Sequence, residues 1–178
     1  MAQARLFTVT QWLLMAAMAV CAFGVVVLGF AAFGLGVVGT GLWVPHGVPA
    51  LVKGVPLGHV ALICAFAVLA GIAILSLAML IFHAIRQIVA SAVGGDPFVV
   101  ENADRLARTG WLLLGICAIQ LTAGAAIAMM IPPQLKNDIK LDLGSVSPLS
   151  LLAILLIFVL AQIFRHGSEM RAELEGTV

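Results

Sequence analysis

His83, Ser91 and Asp96 bring the three side chains of a hydrolytic triad into one short region. The serine hydroxyl would attack, the imidazole would take its proton and the carboxylate would orient the imidazole. That chemistry needs the serine raised on a sharp strand-to-helix elbow, and neither such an elbow nor a known triad spacing surrounds Ser91. No glycine-rich loop carries the lysine that a phosphate cradle requires. The sequence therefore argues for a protein that is not an enzyme.

Metal and haem chemistry are equally poorly served. A buried haem usually takes two axial ligands at one depth, but His46 and His59 fall on one side of the apolar stretches described next and His83 and His166 on the other. No cysteine or acidic residue joins His46 and His59 in a metal-ligand spacing, and His83 more simply caps the polar end of a helix. Cys21, Cys64 and Cys117 lie in three different apolar stretches. There a thiol packs as a small apolar group and gains little from ionising. No cofactor is expected.

The elements that would position any site are apolar and long. Residues 6–52, 54–85, 109–135 and 143–164 contain no Lys, Arg, Asp or Glu. Each stretch can hold the run of about 20 apolar residues that crosses a bilayer. The composition agrees, with 63% hydrophobic residues, 10% charged residues and a mean hydropathy of +1.19, whereas a soluble domain carries about 25% charge. A net charge of +1 lacks the concentrated basic face that nucleic acid requires. The expected architecture is an all-α integral membrane four-helix bundle forming a single transmembrane domain over residues 1–178, with spans at about 12–38, 57–83, 110–131 and 148–164.

Local signals punctuate these spans. Gly34, Gly36, Gly39 and Gly41 predict an irregular end to the first. Pro45, Gly47, Pro49, Gly54 and Pro56 mark a turn-rich connector, Gly94 and Gly95 a break after the second span, and Pro132 and Pro133 the end of the third. Ile139, Leu141 and Leu143 alternate with Asp138, Lys140 and Asp142, the period of a half-buried strand. Ser147 followed by Pro148 is a helix start, a cap and then a compatible first residue.

With four spans both termini share one side. Arg5, Arg86, Arg105, Arg108, Arg165 and Arg171 then lie on the side of the termini, and Lys53, Lys136 and Lys140 on the other. The excess of basic residues places both termini inside.

Within the spans, Ser76, Gln120 and Thr122 are the deepest polar side chains. They suit hydrogen bonds between helices or to their own backbone, or the lining of a small-solute site. No ionised residue lies deep, which argues against an ion-coupled pump. Ala32–Gly36–Thr40, Ala67–Gly71 and Ala118–Thr122–Ala126 repeat a small residue every fourth position. Such faces let helices approach closely, within the monomer or in a homo-oligomer.

The inner connector at 98–108 reads as a short amphipathic helix joining the third span. Glu101 and Arg105, like Asp104 and Arg108, are spaced for pairing along one helix, each pair contributing only about 0.2–0.5 kcal/mol. Phe98, Leu106 and Trp111 can sink into the membrane interface, and 165–175 reads as an exposed helical tail.

The connector also carries the most distinctive words in the chain: Gly95-Asp96-Pro97-Phe98, Glu101-Asn102 and Arg105-Leu106. With Ala161-Gln162-Ile163-Phe164-Arg165, Gly167, Glu169-Met170-Arg171 and Thr177-Val178, the chain resembles a bacterial four-pass family catalogued as domain of unknown function 2975. The resemblance covers most of the chain, from the first span onward. It implies residence in the bacterial cytoplasmic (inner) membrane. Because genes of that family often neighbour small helix-turn-helix regulators, it also implies a cytoplasmic regulator as partner, beside the membrane lipids.

The candidate inner interaction surface is accordingly Asp96, Phe98, Glu101, Asn102, Asp104, Arg105, Arg108, Arg165, Glu169, Arg171 and Glu173. The function expected is a non-enzymatic sensory or interaction protein. The alternative is a small-solute transporter or channel subunit, which would need a polar passage reaching Gln120.

Overall fold

The computed structural model describes residues 2–39, 57–94, 99–131 and 146–175, with side chains over 8–38, 58–94, 99–131 and 146–173. These residues form four helices: α1 (Ala2–Gly39), α2 (Leu57–Val93), α3 (Val100–Met130) and α4 (Pro148–Glu175). The structure is all-α, and each helix is long and apolar enough to cross a membrane. At about 1.5 Å per residue, even the 28 residues of α4 reach about 42 Å, beyond a hydrocarbon core of about 30 Å. The strand period at 139–143 lies outside the described residues.

The surface explains why water is not the solvent. Phe23, Phe30 and Phe33 on α1 are 71–74% exposed, and Leu149, Leu152, Leu155 and Leu156 open a similar face on α4. Apolar faces this large need lipid around them. The chain is a membrane-embedded, multi-pass protein.

Two compact units divide the chain. The first takes Met1–Cys21, Leu77–Ile116 and Ser147–Val178, and the second Ala22–Ser76 and Cys117–Val146. In the second unit, α1 and α2 meet at glycines: a Cβ built on Gly71 would stand 3.1 Å from Leu28 Cδ1, and one on Gly24 3.0 Å from Leu75 Cδ1. His59 Nε2–H donates to the Met130 carbonyl at 3.0 Å. It thereby satisfies one of the carbonyls that the end of α3 leaves without a helical partner.

In the first unit, Ile81 and Ala84 of α2, Ala103 of α3, and Ile154 and Ala161 of α4 are buried. Gly110 lets α3 approach α4, since a Cβ there would meet three Phe158 ring atoms at 2.9–3.2 Å. The Trp111 and Phe158 rings pack edge to face, with centroids 5.5 Å apart and planes at 76°. The start of α4 is capped as its sequence requires: Leu149 N–H donates to Ser147 Oγ at 3.3 Å, and Ser150 N–H to Ser147 O at 2.9 Å.

Two local expectations are corrected. The glycine-rich end of the first span is helix through Gly39, not irregular backbone. A membrane helix keeps its amide bonds inside itself, and lipid offers unpaired amides nothing in exchange. Gly36, expected to permit a close approach, has nothing within 4 Å of where its Cβ would be. The helical segment expected to join the third span does so within one element, since α3 runs unbroken from Val100 to Met130. The one weak helix former at the join, Gly110, is held there by its contact with Phe158.

Candidate functional site

Most charged residues of the first unit lie on the opening turns of α3 and the closing turns of α4, with Arg86 apart on α2. Helical spacing sorts them on α3. Glu101, Asp104 and Arg108 are exposed, while Asn102, Ala103 and Thr109 face inward and are buried.

Asn102 is fully buried, so it belongs to the packing of the unit and not to an outer surface. Its Nδ2 donates to Ser91 Oγ at 2.6 Å. Ser91 Oγ–H in turn donates to the Ile88 carbonyl at 2.8 Å. On the other side Arg105 Nη1 donates to Asn102 Oδ1 at 2.8 Å. Thr109 Oγ1–H donates to the Arg105 carbonyl at 2.8 Å. A buried amide with both ends satisfied fixes the local geometry, because losing either partner strands a polar group. Ser91, considered in sequence as a nucleophile, therefore spends its hydroxyl on structure.

The pairing expected along α3 is replaced by pairing elsewhere. Arg105 turns to Asn102, three residues before it, and Asp104 binds across to α4. Its Oδ1 accepts from Arg165 Nη2 at 2.6 Å, with both side chains more than half exposed. One turn beyond, Ser168 Oγ–H donates to the Arg165 carbonyl at 2.7 Å. His166 Nδ1 lies 3.6 Å from Glu169 Oε2. Glu169, Arg171 and Glu173 are exposed. Asp96 and Phe98 lie outside the described residues.

Two of the three intramembrane candidates bond to their own helices. Ser76 Oγ–H donates to the Ile72 carbonyl at 2.8 Å, and Thr122 Oγ1–H to the Ala118 carbonyl at 2.8 Å. Gln120 is half-buried and lines neither of two surface cavities, one on α1 at Val26, Gly29, Phe30 and Phe33 and one on α4 at Val159, Gln162, Ile163, His166, Gly167 and Met170. Among the described residues, no group of three or more His, Cys, Asp or Glu side chains is placed to hold a metal ion.

A family described as "Protein of unknown function (DUF2975)" matches residues 42–178, more than half of the chain. The chain belongs to the DUF2975 family. The match takes in α2, α3 and α4 with the Asn102 network and the Asp104–Arg165 bridge, and begins after α1. No curated protein and no solved structure matches the chain. As a DUF2975 member it is a membrane-associated protein, and the family description assigns it no reaction.

Sequence reasoning missed the buried polar residues Thr109 and Ser168. Their signal was present: each lies on the inward face of an otherwise charged helical segment, Thr109 two turns after the buried Asn102 and Ser168 two turns after the buried Ala161.

Proposed function

We propose that this protein is a non-enzymatic membrane component whose charged end docks a cytoplasmic helix-turn-helix regulator. The observation carrying this reading is the Asp104–Arg165 bridge at 2.6 Å, which ties the opening turns of α3 to the closing turns of α4. Around it Glu101, Arg108, Glu169, Arg171 and Glu173 stay exposed. Acids and arginines mixed on one surface select a partner by charge pattern and orientation more than by net attraction. The class of partner is the one that the family resemblance implies. In this reading the apolar lengths of the helices are scaffold, and specificity belongs to the aqueous end.

The test is co-purification of the neighbouring regulator from mild detergent. Reversing charge at Glu101, Asp104, Glu169 and Glu173 together should sharply reduce its recovery while the membrane protein stays folded. Undiminished recovery with a folded variant would remove these acids from the docking surface.

A further inference from the structure

One face of α4 is left open where the helix leaves its apolar stretch. Val159, Gln162, Ile163, His166, Gly167 and Met170 line a groove of about 560 Å³, and their spacing by threes and fours puts them in a single stripe. The helix packs through a different stripe, since its buried residues are Ile154, Ala161 and Ser168, seven apart and nearly in line. Two residues turn a helix by about 200°, so Ile163 stands almost opposite Ala161.

The charge-free run ending at Phe164 sets the depth of this groove. Val159 and Ile163 belong to the hydrocarbon, while His166, Gly167 and Met170 lie past it. The groove therefore straddles the membrane boundary, and its chemistry is graded in the same direction. Apolar walls come first, then the exposed Gln162 carboxamide, which has no hydrogen-bond partner among the described residues. One turn further out, His166 Nδ1 sits 3.6 Å from Glu169 Oε2. The cation at this level is already committed, because Arg165 Nη2 is 2.6 Å from Asp104 Oδ1. The groove's polar lining is the Gln162 carboxamide and then the His166 imidazole, with the Glu169 carboxylate standing beside the imidazole at the groove's outer edge.

The geometry points to a phospholipid with a primary ammonium headgroup, of the phosphatidylethanolamine class, bound on this face of α4. An acyl chain lies along Val159 and Ile163, a phosphate oxygen accepts from the Gln162 amide, and the ammonium donates to the Glu169 carboxylate. Such a headgroup carries its phosphate nearer the hydrocarbon and its cation farther out, the order in which α4 presents Gln162 and Glu169. From Gln162 to Glu169 the helix rises about 10.5 Å, a step that the phosphate and its two-carbon arm span together with a hydrogen bond of about 2.9 Å at each end. A quaternary choline has no N–H to donate, and an anionic headgroup meets a like charge at Glu169.

The full chain, reconstituted in vesicles with equal parts of phosphatidylethanolamine, phosphatidylcholine and phosphatidylglycerol, is extracted in mild detergent, and its retained lipids are counted by native mass spectrometry. Ethanolamine lipid should exceed choline lipid by about threefold or more, the selectivity of one charge-assisted hydrogen bond. That preference should vanish in Glu169→Gln and in Ile163→Trp, which fills the groove, and persist in Phe30→Trp, which alters the cavity on α1. Equal retention of the three lipids, a preference for the glycerol lipid, or equal loss in Phe30→Trp would overturn the assignment. So would an efficient disulfide between two copies of an Ile163→Cys variant in those vesicles, because a second copy would then occupy the face.

Discussion

Leu28 of α1 rests on Gly71 of α2 so closely that a Cβ at Gly71 would stand 3.1 Å from Leu28 Cδ1. Four residues along each helix the roles are exchanged, with Leu75 of α2 set 3.0 Å from where a Cβ on Gly24 of α1 would be. Each leucine occupies the space that the opposite glycine leaves. Small residues at helix contacts matter in membranes because lipid is as apolar as leucine, so packing has to drive association. The end of a leucine can shift to admit one methyl group, but not a branched side chain at both contacts. Gly24→Val with Gly71→Val should lower the thermal unfolding temperature in detergent by an amount corresponding to about 1–3 kcal/mol per site, and Gly71→Ala should cost much less.

Gly110 makes a stricter demand. Its Cβ position lies 2.9, 3.0 and 3.2 Å from Cζ, Cε1 and Cε2 of Phe158. That ring is planar and braced edge-on against Trp111. It cannot fold away as a leucine can. Gly110→Ala should therefore destabilise more than Gly71→Ala does, and Phe158→Leu in the same chain should recover part of the loss. Gly36→Ala should be neutral or slightly stabilising, because nothing lies within 4 Å of its Cβ position and alanine favours helix over glycine by about 0.5–1 kcal/mol. Thermal unfolding of the three alanine variants in one detergent ranks them.

These contacts mark how far the sequence could be read. The four helices were legible because lipid demands long uncharged runs, and the start of α4 because Ser147 and Pro148 each have one good use there. A helix leading from the connector into α3 was legible, but what holds Gly110 in it was not. Gly110 suggested a weak point, and the Phe158 ring that occupies its space comes from another helix. Asn102 was misread for a similar reason. An asparagine among charges suggests an exposed face, but its partner Ser91 lies across the connector, a separation that periodicity within one helix does not register.

The Asn102 network yields its own prediction. Asn102→Ala removes the donor to Ser91 and the acceptor for Arg105 together, leaving polar groups unpaired at about 1–3 kcal/mol. Ser91→Ala removes only one of those contacts. Because both changes delete the same bond, a double-mutant cycle in thermal unfolding should show the two losses to be clearly less than additive. Fully additive losses would mean that the 2.6 Å contact carries no stability.

The Asp104–Arg165 bridge should behave differently. Its side chains are 65% and 56% exposed, and an ion pair so open to water contributes at most about 1 kcal/mol. Asp104→Asn should therefore leave the unfolding temperature almost unchanged. If the bridge sets the charge pattern that a regulator reads, the same variant should reduce regulator recovery, and exchanging the two residues should restore it only in part. A large fall in stability would instead make the bridge a structural contact.

Parity of the crossings decides which points of the chain share a side, and orientation can be tested through it. The connector after α2 and the segment after α4 are separated by two helices, so if both helices cross, these two points share a side. An excess of basic residues on the inner side would make the six arginines mark the inside and the three lysines the outside. A reporter active only outside the cytoplasm should be active when fused after Lys140, and silent after Gly95 and after Val178. Activity at Gly95 and Val178 with silence at Lys140 would invert the orientation and take the docking surface away from any cytoplasmic regulator. Disagreement between Gly95 and Val178 would be the more radical result, because α3 or α4 would then fail to cross and the Asp104–Arg165 bridge would have to form beside the membrane by another route.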